Sequence, residues 1–478
     1  MLFSTPTFLF IFLPVVLTVY WLLPERISLR NAFLLAASIL FYAWGEGAYV
    51  LLLGVSIGFN YAFGLLIDST RTSRRGRWFL AGAIAANVAV LCVYKYSTHA
   101  IAALNWLFAG FGTPIASSIL PLRLPIGLSF YTFHGLSYLI DVHRGRARAQ
   151  RNPITLGLYF ALFPQLILGP IIRYRQIERS LKARASTLEG ATQGIGRFIV
   201  GLAKKVLIAD ILADPVNRLF TLPPAQMTTS LAWLAIVAFT LQIYFDFSSY
   251  SDMAIGLARI FGFPFPENFT YPYAARSRTE MFQRFHISFF AWMRDYVYRP
   301  LVPKGSSTLR ENAAVMVVFT LAGLWHGATA TFLMWGVLNG VFIVVERIWL
   351  GKYLTRWWMP WRHAYVLAVT ILMTPFFRGT TIGQSVQMIA AMAGFGEAVP
   401  GALPLAFYLT TPVLLALSAG IVGSAPTVPW LGRKIAIVWN VESPLRTWGM
   451  SLLLSCAFLL SMLAIASRTH APFIYFKF

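Results

Sequence analysis

Apolar runs of membrane-spanning length recur along this chain, and short basic loops separate them. In lipid every backbone N–H and C=O must be paired within the protein. A repeated pattern of this kind therefore folds as a bundle of membrane-crossing helices. The expected spans are 8–23, 31–44, 48–67, 78–96, 119–141, 193–214, 230–252, 363–378, 404–424 and 447–468. The predicted fold class is an all-α polytopic membrane protein, with about ten spans plus re-entrant segments and a single domain over residues 1–478. The first run, MLFSTPTFLFIFLPVVLTVYWLLPER, has neither a basic leader nor a small-residue cleavage site, and reads as a retained span.

Charge then orients the spans. The chain is 58% hydrophobic and 12% charged, with a net charge of +22. In a soluble protein that excess would point to nucleic acid. Here it collects in alternate loops: Arg26 and Arg30, then Arg71, Arg74, Arg75 and Arg77, then Arg144, Arg146, Arg148 and Arg151. Basic residues gather in cytoplasmic loops, so no nucleic-acid partner is expected and membrane lipids are. The alternation puts both termini on the outer side. Cys92 and Cys456 lie in apolar runs, which argues against a disulfide framework or a cysteine-based zinc site. No Gly-rich phosphate loop of the nucleotide-binding types occurs.

Two segments break the alternation. Residues 154–171 are flanked at both ends by arginines and carry Pro164, Gly169 and Pro170. A segment that returns to the face it left is re-entrant, and its broken backbone must be lined by protein or water. Residues 312–346 are likewise basic at both flanks and predict a hairpin turning at His326-Gly327-Ala328. At 1.5 Å per residue, His326 lies about 20 Å from the cytoplasmic face.

Ionisable groups at that depth are costly and mark function. His326, in Leu324-Trp325-His326-Gly327, can act as a neutral base, or sit as a core histidine bonded to a carbonyl. His286 lies forty residues earlier in Arg284-Phe285-His286-Ile287-Ser288. Continued helically, it shares a face with Phe290 and Met293, either lining the same cavity or forming a boundary helix. Between them Arg276, Arg278, Arg284 and Arg294 either orient the loop or hold the phosphates of a donor through bidentate forks. Asp246 and Tyr250, with Gln242 and Ser249, share one helical face as a structural cluster or a tunnel wall, which Trp325 would extend. The tail Phe473-Ile474-Tyr475-Phe476-Lys477-Phe478 is an interfacial anchor, or presents the Tyr475 hydroxyl as an acyl relay. Two histidines without a third ligand predict no tightly bound metal.

At these residues the chain resembles the membrane-bound O-acyltransferase family, in particular its bacterial branch of alginate-type polysaccharide O-acetylation membrane proteins. The resemblance is carried by FPQLILGPIIRYRQI (163–177), QIYFDFSSYSDMAIGLARIFGFPFPENF (242–269), RFHISFFAWMRDYVYRPL (284–301), LAGLWHGATATFLMWGVLNG (321–340) and the terminal FIYFKF. Phe285 stands where a tryptophan is usual, and PLVPKGSST (300–308) lacks the usual glycine pair. The resemblance implies a helical ring around a tunnel open to both faces, with His326 and His286 as the two motif histidines. It further implies a bacterial inner-membrane location with periplasmic termini. Acetyl-CoA would be the donor substrate, with no tightly bound cofactor, and a periplasmic polysaccharide O-acetyltransferase the partner. Two rivals stand beside it: D-alanyl transfer from a carrier protein to a cell-wall polymer, and a non-enzymatic polysaccharide transporter.

Overall fold

The structure, a computed structural model, describes residues 1–108, 122–395, 403–427 and 444–467. The chain packs as two compact units, Met1–Gly194 with Leu257–Pro266, and Ile195–Gly256 with Glu267–Phe478. Regular structure among the described residues is helical, apart from one antiparallel bridge between Phe269 and Phe285.

The first unit holds α1 (Leu13–Leu22), α2 (Ile27–Glu46), α3 (Tyr49–Ser69), α4 (Arg74–Phe108), α5 (Leu128–His143), α6 (Pro153–Ala161) and α7 (Tyr174–Lys182). Phe8, Phe12, Phe41 and Phe163 pack edge-on and tilted in its core. In α3 and α4 side chains such as Leu51, Val55 and Val93 point outward, as lipid-facing positions should. Polar groups join these two helices: Asn60 and Asn87 exchange amide hydrogen bonds of 3.2 Å each way. The expected fifth span, 119–141, is corrected over its described part: α5 begins at Leu128, because Pro125 and a left-handed Gly127 (φ 85°) hold residues 122–127 out of the helix. The 154–171 segment is interrupted as its prolines predict. Helix α6, capped by Asn152, stops at Leu162, a short turn Phe163–Leu166 follows, and every residue from 155 to 174 is buried in protein.

In the second unit, α8 (Leu188–Ala203) enters from the first and continues through a π-helical turn (Lys204–Ala209) into α9 (Asp210–Phe220). This run is longer than the expected span 193–214 and more charged than an apolar reading allows. Next come α10 (Thr229–Ile260), α11 (Arg278–Arg284), α12 (Ile287–Met293), α13 (Thr308–His326), α14 (Ala330–Val345) and α15 (Met359–Arg378). The series ends with α16 (Ile382–Ala390), α17 (Thr411–Ser424) and α18 (Pro444–Ser467).

Six helices among the described residues are long and apolar enough to cross a membrane: α2, α3, α4, α10, Ala330–Leu354 and Trp448–Ser467. Five coincide with expected spans, and the sixth is the second arm of the expected hairpin. The protein is thus an all-α, multi-pass membrane protein. Helix α10 is the exception to lipid exposure: 78% of its apolar stretch is buried, against 6% for α18.

Candidate active site

Helices α13 and α14 form the hairpin predicted around His326. Ser307 caps α13 by accepting from the Arg310 N–H at 3.3 Å. The arms touch at Gly323 and Gly336, where a Cβ on either would come within 2.4 Å of a backbone oxygen of the other arm. Only glycine allows that approach, and it delivers the helix end carrying His326 three residues later. Gly327 is required for space rather than for backbone freedom: a Cβ there would lie 2.3 Å from the Phe332 ring. His326, the last residue of α13, is half-buried among aromatic rings. Trp325 lies 4.8 Å away between centroids, Phe377 4.9 Å, Trp335 5.2 Å and Phe332 6.2 Å.

His286 reaches the same cluster by a different backbone. It does not continue a helix, as the sequence reading had it. It stands at the junction of α11 and α12 in the left-handed region (φ 50°, ψ 51°), which non-glycine residues rarely occupy. The junction is pinned by a strip of backbone pairing: Thr270 N–H donates to the Arg284 carbonyl at 3.0 Å, and Ile287 N–H to the Asn268 carbonyl at 2.9 Å. The His286 ring, 1% exposed, stacks on Phe289 at 5.0 Å and lies edge-on to Phe247 at 4.5 Å. Phe289 in turn stacks on Trp325 at 4.5 Å. The two histidines, forty residues apart in sequence, therefore flank one Phe289–Trp325 stack. Trp325, read as tunnel wall, is a buried divider between them.

The basic stretch separates into two kinds of arginine. Arg276 and Arg284 clasp Glu280 at 3.2 and 2.5 Å, and Arg294 and Arg299 clasp Asp295, each at 3.1 Å. Burial pushes the Glu280 carboxyl up, but the Arg276 backbone N–H and the two guanidinium groups outweigh it and hold it below the usual carboxylate range. Four arginines against two acids leave a basic, partly exposed rim. Arg278 is not on that rim, against the sequence reading. It is 1% exposed and donates to Asn339 Oδ1 at 2.5 Å and Thr370 Oγ1 at 2.6 Å, with the Phe282 ring beneath it. Its backbone N–H and that of Thr279 are capped by the Glu346 carboxylate at 2.6 and 3.1 Å.

Asp246 and Tyr250 are buried within α10. Asp246 accepts from Lys205 Nζ at 2.6 Å, and Lys205 also meets Asp210 at 2.8 Å. Asp252 similarly meets Lys204 at 2.6 Å and Arg197 at 2.8 Å. Lys205, 1% exposed, escaped the sequence reading, although a lysine inside an apolar run is itself a signal. Asn268 was also missed. It sits in Pro266-Glu267-Asn268-Phe269, and a polar residue suited to bonding irregular backbone was the available clue. Tyr475 lies outside the described residues.

The family model described as MBOAT, membrane-bound O-acyltransferase family, matches residues 84–388. The chain is 35% identical to the probable alginate O-acetylase AlgI of Azotobacter vinelandii over the full length of both. It is 39% identical to that of Pseudomonas aeruginosa, covering 83% of this chain and 75% of the relative. It is 31% identical to the peptidoglycan O-acetyltransferase of Helicobacter pylori, covering 82% and 80%. The chain belongs to the membrane-bound O-acyltransferase family and is an O-acyltransferase.

Proposed function

We propose that the protein moves an acetyl group from a cytoplasmic thioester, acetyl-CoA, across the bacterial inner membrane for O-acetylation of an exported polysaccharide. The observation that carries the reading is the placement of His326 at the tip of a glycine-crossed hairpin, in an aromatic cluster shared with His286. The full-length similarity to proteins named as alginate O-acetylases supports the choice of group and acceptor.

In this scheme the donor binds at the basic rim. Arg276, Arg284 and Arg294 face its phosphates, while Arg278 holds the rim in place from inside. The thioester arm reaches the aromatic cluster through a tunnel ringed by helices, whose dry walls raise the worth of each polar contact. His326 takes the proton from the accepting hydroxyl as its oxygen bonds to the acetyl carbon. The C–S bond then breaks, and the proton passes to the departing thiolate, so free thiol and acetyl ester are the products. His286 orients the reacting groups. The accepting hydroxyl is that of Tyr475 or of a periplasmic polysaccharide O-acetyltransferase, which completes delivery to the sugar.

Purified protein with radiolabelled acetyl-CoA tests this. Label is expected on the protein or on the added partner, and is expected to disappear in His326→Ala. Wild-type transfer by folded His326→Ala would overturn the reading. Transfer from a D-alanyl carrier protein but not from acetyl-CoA would replace it with D-alanyl transfer.

A further inference from the structure

Asn268 bonds to both sides of the His286 junction. Its Oδ1 accepts from the Ser288 backbone N–H at 3.1 Å and from Ser288 Oγ at 2.9 Å, and lies 3.3 Å from His286 Nδ1. Its Nδ2 donates to Ser251 Oγ at 3.0 Å, which ties the junction to α10. Its backbone carbonyl receives the Ile287 N–H. The residue is 0% exposed.

This arrangement settles the amide orientation. A backbone N–H can only donate, so the atom facing Ser288 is the oxygen. An oxygen in that place can only accept, so the His286 nitrogen facing it must carry the hydrogen. A neutral imidazole protonated at Nδ1 has its lone pair on Nε2. That atom is buried and has no partner among the described residues. A buried acceptor left without a donor is costly, and a substrate donor would recover that cost.

We infer that Asn268 is a positioning residue that locks His286 in the Nδ1-protonated form, so that Nε2 accepts a hydrogen bond from substrate. The substrate group is an N–H or O–H donor, supplied by an amide of the thioester's arm or by the accepting hydroxyl. Neutral His286 in this form has no Nε2–H to offer a developing oxyanion, so it orients by accepting. The same asparagine maintains the left-handed backbone of His286, through both its side chain and its carbonyl. The inference rests on the proposed acyl-transfer role of the site.

Two measurements on the full chain in lipid test it. The first is ¹⁵N solid-state NMR of histidine-labelled protein, with His286 signals identified by their loss in His286→Gln. A protonated Nδ1 with a bare Nε2 is expected in the wild type, and loss of that preference in Asn268→Leu. A protonated Nε2 in the wild type, or an unchanged tautomer in folded Asn268→Leu, would overturn the inference. The second is the rate of acetyl transfer. Asn268→Leu is expected to lose about 10–100-fold, the size of loss seen when the partner that orients a metal-bound histidine is removed. Asn268→Asp keeps an acceptor opposite Nδ1 and restores transfer, with the acidic limb of its pH–rate profile moved upward, because a carboxylate favours the imidazolium. A folded Asn268→Asp with the wild-type profile would count against the contact. A rise in KM for acetyl-CoA in Asn268→Leu assigns the substrate donor to the thioester's arm, and a fall in kcat alone assigns it to the accepting hydroxyl. A wild-type protein that transfers no acetyl group sinks the proposed function while the tautomer is still read by NMR.

Discussion

His326 and Arg278 show how differently one chemical class can be used in apolar surroundings. The imidazole is half-buried at the helix end where the hairpin turns, so removing it should cost chemistry more than folding. His326→Ala is expected to lower acetyl transfer by about 10²–10⁴-fold with little change in thermal unfolding. Arg278 has the opposite profile, because its fork is consumed by Asn339 and Thr370 inside the protein. Arg278→Ala leaves both oxygens unsatisfied and opens a cavity, and should destabilise by about 3 kcal/mol, read as a lowered midpoint in detergent. Glu280 adds a pH signature at the rim. Its folded pKa is depressed, so the stability it contributes is complete above its ordinary value of 4.5 and is lost as pH falls through the folded pKa. Thermal unfolding of Glu280→Gln should therefore depend less on pH below about 4.5 than that of the wild type. The sequence marked both histidines and the arginines by type and depth. It did not distinguish Arg278 from its neighbours, since inward and outward arginines look alike until Asn339 and Thr370 are brought beside one of them.

The α13–α14 hairpin is the element that makes the site. Its glycine crossing has no slack: Gly323→Leu or Gly336→Leu must push the arms apart by more than a side chain can absorb. Either should abolish transfer and lower stability together, a pairing that His326→Ala should not show. Gly327→Ala is a finer probe, since the atoms its Cβ would meet most closely are those of the Phe332 ring. Transfer lost in Gly327→Ala should return in part when Phe332→Leu is added, measured as non-additivity of the two changes. The hairpin and its turn were legible because basic flanks and an apolar run of that length allow few other paths. The break at His286 was not legible. Helix period continues through Arg284 to Met293 in the sequence, and the backbone leaves it only because the Asn268–Thr270 strip pairs across the junction.

At the scale of the whole molecule, six apolar helices and outward-facing leucines make lipid the solvent for much of the surface. Cys92 in α4 and Cys456 in α18 are exposed on such helices. A thiol reacts as its thiolate, which lipid suppresses. Both cysteines should resist a charged maleimide in intact membranes and react once the protein is denatured in detergent, counted by mass shift. The apolar runs and their charged flanks alone determined that the chain is helical, crosses the membrane repeatedly and carries its rare ionisable groups for a reason, because burying backbone in lipid leaves no other solution. Tertiary structure alone decided which of those groups meet. Lys205 meets Asp246 from another helix, Glu346 caps α11 from far along the chain, and two histidines close on one Phe289–Trp325 stack. Sequence period records which face of a helix a residue occupies, but not which helix that face will touch.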